Sequence, residues 1–267
     1  MSGQIIGLQE WLETPPGRYL LEWEQAQFDE AVADVFGYHA LQLGLPGVEA
    51  LRSNRMPHRW LALQQPGALR QATLLADFTA LPFPANSLDL VVLPHALELS
   101  LDPHATLREV ERVLVPEGRV VVCGLNPASL WGMRQRRAHL YRRLGFGELF
   151  LPEAGDFIGY WRMRDWLRLL SFEVESGRFG VYRPAVRSQS WLERCRWFDA
   201  AGERWWPIFG AVYFIVAVKR VRGMTLLQAD WKRKPAIAKA PVPITGRMRG
   251  EHGAAQRAKN ERMEEIS

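Results

Sequence analysis

The chain has 267 residues, 48% of them apolar and 24% charged, ordinary proportions for a globular protein long enough to bury a substantial core. Its formal charge of +5 is unevenly spread: from Lys219 onward twelve Lys/Arg face five Asp/Glu, a surplus of +7, and the first 218 residues carry 22 basic and 24 acidic groups, or −2. Two cysteines, Cys123 and Cys195, lack metal-type spacing and predict free thiols in a reducing compartment, which excludes a disulfide scaffold.

The opening "MSGQIIGLQEW" has no basic n-region and no continuous apolar core, so no secretory signal is expected. From Gly17 to Gly37 apolar residues recur near helical spacing with acids opposite, predicting a helix that stops at Gly37. "YHALQLG" follows as a short buried strand meeting a turn at "LPG". A weak helix is predicted from Val48. "HRWLALQQPG" is a second strand closed by Pro66-Gly67, "ATLLADF" a third and "SLDLVVLP" a fourth. "PHATLREVERVLVPEG" predicts an amphipathic helix with Pro103 at its start and Gly118 at its end, and "GRVVVCGL" a fifth strand.

Beyond Asn126 a long, aromatic and basic stretch, to about residue 161, is expected to be an insertion. "RMRDWLRLLSF" then predicts a helix, "EVESGRFGVYRPA" a strand and "GAVYFIVAVKR" the last strand. That last apolar run is far short of the roughly 20 residues that span a bilayer, so a cytoplasmic location is expected. From 222 onward the composition predicts a basic, disordered tail, because too little apolar surface is available to offset ordering entropy. Residues 1–221 are expected to form one domain. Apolar strands alternating with helices indicate a parallel sheet covered on both faces.

Such a sheet binds ligands beyond the C-terminal ends of its strands, which directs attention to Gly44–Gly47, Gln64 or Gln65, Asp77/Phe78 and Pro94–Glu98. The stretch "LLADFTALPFPANSLDLVVLPHALELSLDPHATLREVERVLVPEGRVVV" resembles the central region of class I S-adenosylmethionine-dependent methyltransferases, in the methyltransferase type 11-like branch. The resemblance covers about 50 residues in register and extends more weakly from Gly17 to about Arg220. It implies a Rossmann-like α/β fold with a mostly parallel seven-stranded sheet and helices on both faces. It also implies S-adenosyl-L-methionine as cofactor. In the family, the acid matching Asp77 accepts from the adenine amino group and the residue matching Phe78 packs near the ring. The bland reading of Asp77, a carboxylate capping the turn before Leu81-Pro82, stays open beside it.

Two departures from the family pattern stand out. The glycine-rich loop reads "QLGLPGVEA": Gln42 replaces the usual acid, Gly44 is in place, Pro46 removes a backbone donor, and Gly47 matches only with a shifted loop. At the ribose position the family carries an acid, and here Gln64 offers a single oxygen acceptor. The resemblance therefore implies cofactor contacts at Gly44, Gly47, Gln64, Asp77, Phe78 and Pro94, with a weakened ribose grip. Weak donor binding, compensation by other groups and a decayed site all remain open.

Methyl transfer is an in-line displacement that needs alignment and exclusion of water. A general base is required only when the acceptor holds its proton, and His95 and Glu98 are the candidates; the alternative is that His95 bonds to nearby backbone while Glu98 caps or pairs on the next helix. Seven of the eleven Trp residues fall between Trp161 and Trp231, which suits a flat or lipophilic acceptor or, equally, a second small core. "MRQRRAHLYRR", Met133 to Arg143, holds five arginines and raises RNA or an anionic lipid surface as a lesser expectation. No metal site is expected. A non-catalytic scaffold built on the same fold is the competing functional class.

Overall fold

A computed structural model describes residues 2–64, 72–143, 149–151 and 157–220; the predicted tail, Gln65 and parts of the predicted insertion lie outside the described residues. The apolar runs pair as seven strands: β1 His39–Leu43, β2 His58–Leu63, β3 Leu74–Leu75, β4 Leu88–Pro94, β5 Leu114–Leu125, β6 Phe172–Gly180 and β7 Val212–Lys219. Their order in the sheet is β3-β2-β1-β4-β5-β7-β6. The first five are parallel, and β7 runs antiparallel between β5 and β6. This is the α/β architecture expected from the sequence.

Side chains alternate across the sheet with period two. Ala40, Leu90, Val92, Val121 and Cys123 face one way, against Leu8 and Leu12 of α1 (Ser2–Leu12) and Leu20, Phe28 and Val32 of α2 (Pro15–Ala33). Leu41, Leu43, Val91, Leu93, Val120 and Val122 face the other. That second face is covered by Leu107, Val110 and Val113, together with Met163 and Leu167. A short helix α3, Ala96–Leu99, follows β4, and α4, Pro103–Val113, joins it to β5. The chain then adds α5 (Leu130–Arg143), α6 (Tyr160–Leu169), α7 (Gln189–Arg194) and α8 (Trp197–Trp205). No helix among the described residues is long and apolar enough to cross a membrane.

Helix α4 begins as predicted: Asp102 accepts from the Ala105 amide at 2.9 Å, with Pro103 in the first turn. It ends five residues before Gly118, because Leu114 already pairs with Leu88 of β4 and Pro116 disfavours a helical conformation at Val115. The helix predicted from Val48 is absent and turns run through 48–53. Side chains satisfy that backbone instead. Arg59 donates to Leu51 O and Asn54 O, and Asn54 donates to Val32 O and Val35 O.

Candidate functional site

Register places the expected ligand-facing residues side by side. Leu43 lies beside Ala62 and Leu63 beside Leu75, so Gly44, Gln64 and Asp77 leave adjacent strands in turn. Pro94 ends β4 opposite Cys123. Gly44, Phe78, Pro94, His95 and Glu98 are buried, Gln64 is half-buried, and Gly47 and Asp77 are exposed. Gly44 sits at φ +75°, a conformation that favours glycine.

The loop after β1 is organised by Gln42. Its amide nitrogen donates to Leu45 O at 3.1 Å and Val48 O at 2.6 Å, and its oxygen accepts from the Ala50 amide at 3.2 Å. A carboxylate could only accept. The loop carbonyls turn inward here, and that is why an amide stands where the family carries an acid. Leu45, at φ 36°, is fully buried, so the turn is closed over an apolar side chain. Open space lies on either side of the loop. One cavity of about 380 Å³ is lined by Gln42, Pro46, Arg59 and Trp60, and another of about 590 Å³ by Gly47, Arg52 and residues of α2.

Asp77 forms a tight turn in which its Oδ1 accepts from the Thr79 amide at 2.9 Å and the Thr79 hydroxyl at 2.8 Å. The Thr79 backbone hydrogen bond, aided by the hydroxyl, holds its carboxyl below the usual range. The turn is clamped from α4: Glu109 accepts from the Leu81 amide at 2.8 Å, and Arg112 donates to Phe83 O at 2.8 Å while paired with Glu109. Between Asp77 and this clamp the Phe78 ring turns inward. A Cβ placed on Gly44 would lie 3.7 Å from that ring and 3.7 Å from the Ala96 methyl.

At the end of β4 the structure gathers a buried charged cluster. His95 adopts φ 53°, the left-handed region. Its Nδ1 bonds Glu98 Oε2 at 2.8 Å and its Nε2 bonds Glu24 Oε1 at 2.7 Å. Glu98 Oε1 also accepts from the Leu125 amide at 2.5 Å, and the Cys123 thiol donates to Glu24 Oε1 at 3.3 Å. Burial alone would depress the His95 pKa; the Glu24 charge and hydrogen bond, with Glu98 adding to them, outweigh it and push the pKa up to about 10. Burial, the largest cause, raises the Glu98 carboxyl above the usual glutamate range, opposed by His95 and the Leu125 amide. Both neighbours thus favour the charged, imidazolium form of His95.

Sequence reasoning found His95 and Glu98 but missed Glu24, which lies 71 positions upstream of His95. A signal was present. Leu20, Glu24, Phe28 and Val32 recur every four residues and all are buried, so an acid sits on the apolar stripe of an otherwise conventional helix. Also missed was the role of "NPASLWG". Asn126 donates to Ile208 O at 2.8 Å and Gly210 O at 2.9 Å, and the Trp131 indole donates to Arg183 O at 2.8 Å, which braces β5 and α5 against the segments flanking α7 and α8. Trp161, Trp191, Trp197 and Trp205 are exposed, so these four fill no second core.

Comparison with known proteins agrees with this geometry. A family model described as "Methyltransferase domain" matches residues 53–122. A Haloferax volcanii methyltransferase chain, solved in complex with the Trm112 methyltransferase activator, superposes with a TM-score of 0.56 at 18% identity, covering 82% of this chain and 99% of that one. Residues 53–122 thus match a methyltransferase domain, and the fold is that of the class I S-adenosylmethionine-dependent methyltransferases. The chain is 29% identical over 241 residues to the Escherichia coli "Uncharacterized protein YafS", covering 88% of this chain and 91% of that protein. A malonyl-[acyl-carrier protein] O-methyltransferase from Gallionella capsiferriformans is 40% identical over 82 residues, only 28% of either chain.

Do the residues at these strand ends fit S-adenosylmethionine, the donor of the family the chain resembles? At the nucleoside end they do: exposed Asp77 keeps Oδ2 clear of its own turn contacts, and half-buried Gln64 ends the adjacent strand. At the methionyl end they do not fit in this arrangement. Gly44 is buried with Phe78 and Ala96 beside it, and Glu24 occupies His95 Nε2. The family's donor therefore fits by one half only.

Proposed function

We propose that this chain is an S-adenosylmethionine-dependent methyltransferase acting on a small or lipophilic acceptor. The observation that supports it is the placement of Gly44, Gln64 and Asp77 at successive strand ends of a seven-stranded, mostly parallel sheet. When bound, the donor supplies a sulfonium methyl group. The chain's own part is to read the adenine amino group through Asp77 Oδ2, to hold one ribose hydroxyl through the Gln64 oxygen, and to keep water from the end of β4. His95 and Glu98 set the charge and shape of that end. The burial of His95 between Glu24 and Glu98, which favour its charged form, weighs against its acting as a base near neutral pH.

Calorimetry with S-adenosylhomocysteine tests this reading, with NAD and ATP as controls. Micromolar binding that is lost in Asp77→Ala supports it; heat with ATP alone, or none with S-adenosylhomocysteine at millimolar concentration, overturns it. The packing of Phe78 over Gly44 favours a second reading, a methyltransferase fold kept as a non-catalytic scaffold. Turnover of donor in the presence of any acceptor ends that alternative. An RNA acceptor, suggested by the arginines of α5, predicts salt-sensitive RNA affinity that disappears when Arg136, Arg137 and Arg142 become Gln.

A further inference from the structure

Cys123, His95 and Glu24 come from β5, the turn after β4 and α2, and one ligand atom of each lies within 4.8 Å of the others. All three are buried, with 2%, 1% and 0% of their surface exposed. Three features make this more than a cluster of acids. A thiol, an imidazole and a carboxylate are the donor set of zinc-class sites. His95 gives its other ring nitrogen to Glu98, which is itself fixed by the Leu125 amide; a carboxylate behind the histidine is the arrangement that sets the tautomer of a metal-bound imidazole. And Glu24 Oε2 is a buried carboxylate oxygen with no hydrogen-bond partner, a costly state for an ionised group.

We propose that Glu24, His95 and Cys123 form a structural binding site for Zn2+ or a similar borderline divalent cation, with both Glu24 oxygens closing the coordination shell. Binding makes bonds from the metal to His95 Nε2, Cys123 Sγ and the Glu24 carboxylate. The two protons now on Nε2 and Sγ leave to solvent, and His95 keeps its Nδ1 proton on Glu98. The Nε2-to-Oε1 separation of 2.7 Å then widens to about 3.3–3.6 Å, as metal–ligand bonds of about 2.0–2.2 Å at a near-tetrahedral angle require. The ion fastens α2 to the ends of β4 and β5. This site does not depend on the methyl-transfer reading, since none of its bonds involves the donor.

The test is cobalt substitution of the purified full chain. Stoichiometric Co2+ should give the visible bands of a tetrahedral site and a near-ultraviolet thiolate-to-cobalt charge-transfer band. The latter should vanish in Cys123→Ser and persist in Cys195→Ser. Zn2+ should displace the cobalt and raise the thermal unfolding midpoint, while Glu98→Gln should weaken binding about 10- to 100-fold without removing the charge-transfer band. Absence of that band in the folded wild-type chain overturns the proposal. So does Zn2+ binding that is equally tight in Glu24→Gln and Cys123→Ser, because the ion would then sit elsewhere. Since the decisive spectrum is recorded on the wild type, failure of a variant to fold does not shield the proposal.

Discussion

The two ends of the candidate site are built on opposite principles. At the nucleoside end an exposed carboxylate stands on a turn, held from behind by Glu109 and Arg112 and leaving one oxygen toward solvent. At the methionyl end buried charges are paired with each other, and an aromatic ring fills the approach to Gly44. The first end can recognise a ligand without moving. The second must exchange internal contacts for ligand contacts, and its affinity is reduced by whatever that exchange costs.

Breaking the buried end should produce the largest effect. His95→Ala leaves Glu24 and Glu98 facing each other without their cation, and removing one partner of a buried ion pair typically costs about 3–5 kcal/mol. We expect a fall of that size in denaturant-derived stability. A loss under about 1 kcal/mol would mean that the carboxylates are protonated or hydrated, contrary to the pairing described above. Phe78→Ala sharpens the contrast from the other side. Deleting the ring should cost about 3 kcal/mol, the low end for a buried phenylalanine because the ring adjoins the candidate site, yet it should tighten S-adenosylhomocysteine binding if the ring blocks the methionyl half. Lower stability with weaker binding would show instead that Phe78 supports the nucleoside.

What could be read from residues alone follows the same division. Strand β4 and helix α4 were legible because their signals are local: a continuous apolar run, and an Asp-Pro cap before an amphipathic stripe. The Asp77 position was legible for the same reason. The helix predicted at Val48 failed because Gln42 and Arg59 take over its backbone groups, Val48 O, Ala50 N and Leu51 O, and no local pattern announces that. β3 shrinks to Leu74–Leu75, shorter than the run "ATLLADF" suggested. Helices α1, α7 and α8 escaped notice because they are not marked by a regular apolar stripe with caps. The Glu24–His95 pair needs the fold itself, and only the misplaced acid on the α2 stripe hinted at it.

A smaller effect is expected at the exposed end. Asp77→Asn retains the turn, since an asparagine oxygen accepts from Thr79 equally well, and stability should change by less than about 0.5 kcal/mol. Donor affinity should nevertheless drop roughly ten- to a hundred-fold, the order expected on losing a charge-assisted hydrogen bond. Isothermal titration of the variant beside wild type decides it. An unchanged affinity would leave Asp77 as a turn cap and remove the main argument for nucleoside recognition.

The smallest change tests whether α4 positions the exposed end. Glu109 accepts from the Leu81 amide and pairs with Arg112, and the Arg112 hydrogen bond, the largest cause, holds its carboxyl below the usual glutamate range. A carboxyl lowered in the folded state binds its proton less tightly there than in the unfolded chain. Its stabilising contribution is therefore full above the unfolded pKa, near 4.5, and is lost as pH falls below that value. Glu109→Gln keeps an oxygen for Leu81 but gives up the charge on Arg112, so it should cost about 1 kcal/mol at neutral pH and flatten the decline of stability between roughly pH 5 and 3. Urea midpoints measured across that range reveal it. Donor affinity should weaken only slightly, because the Asp77–Thr79 contacts are internal to the turn; a loss as large as that of Asp77→Asn would place the recognition element in the clamp and not in the turn.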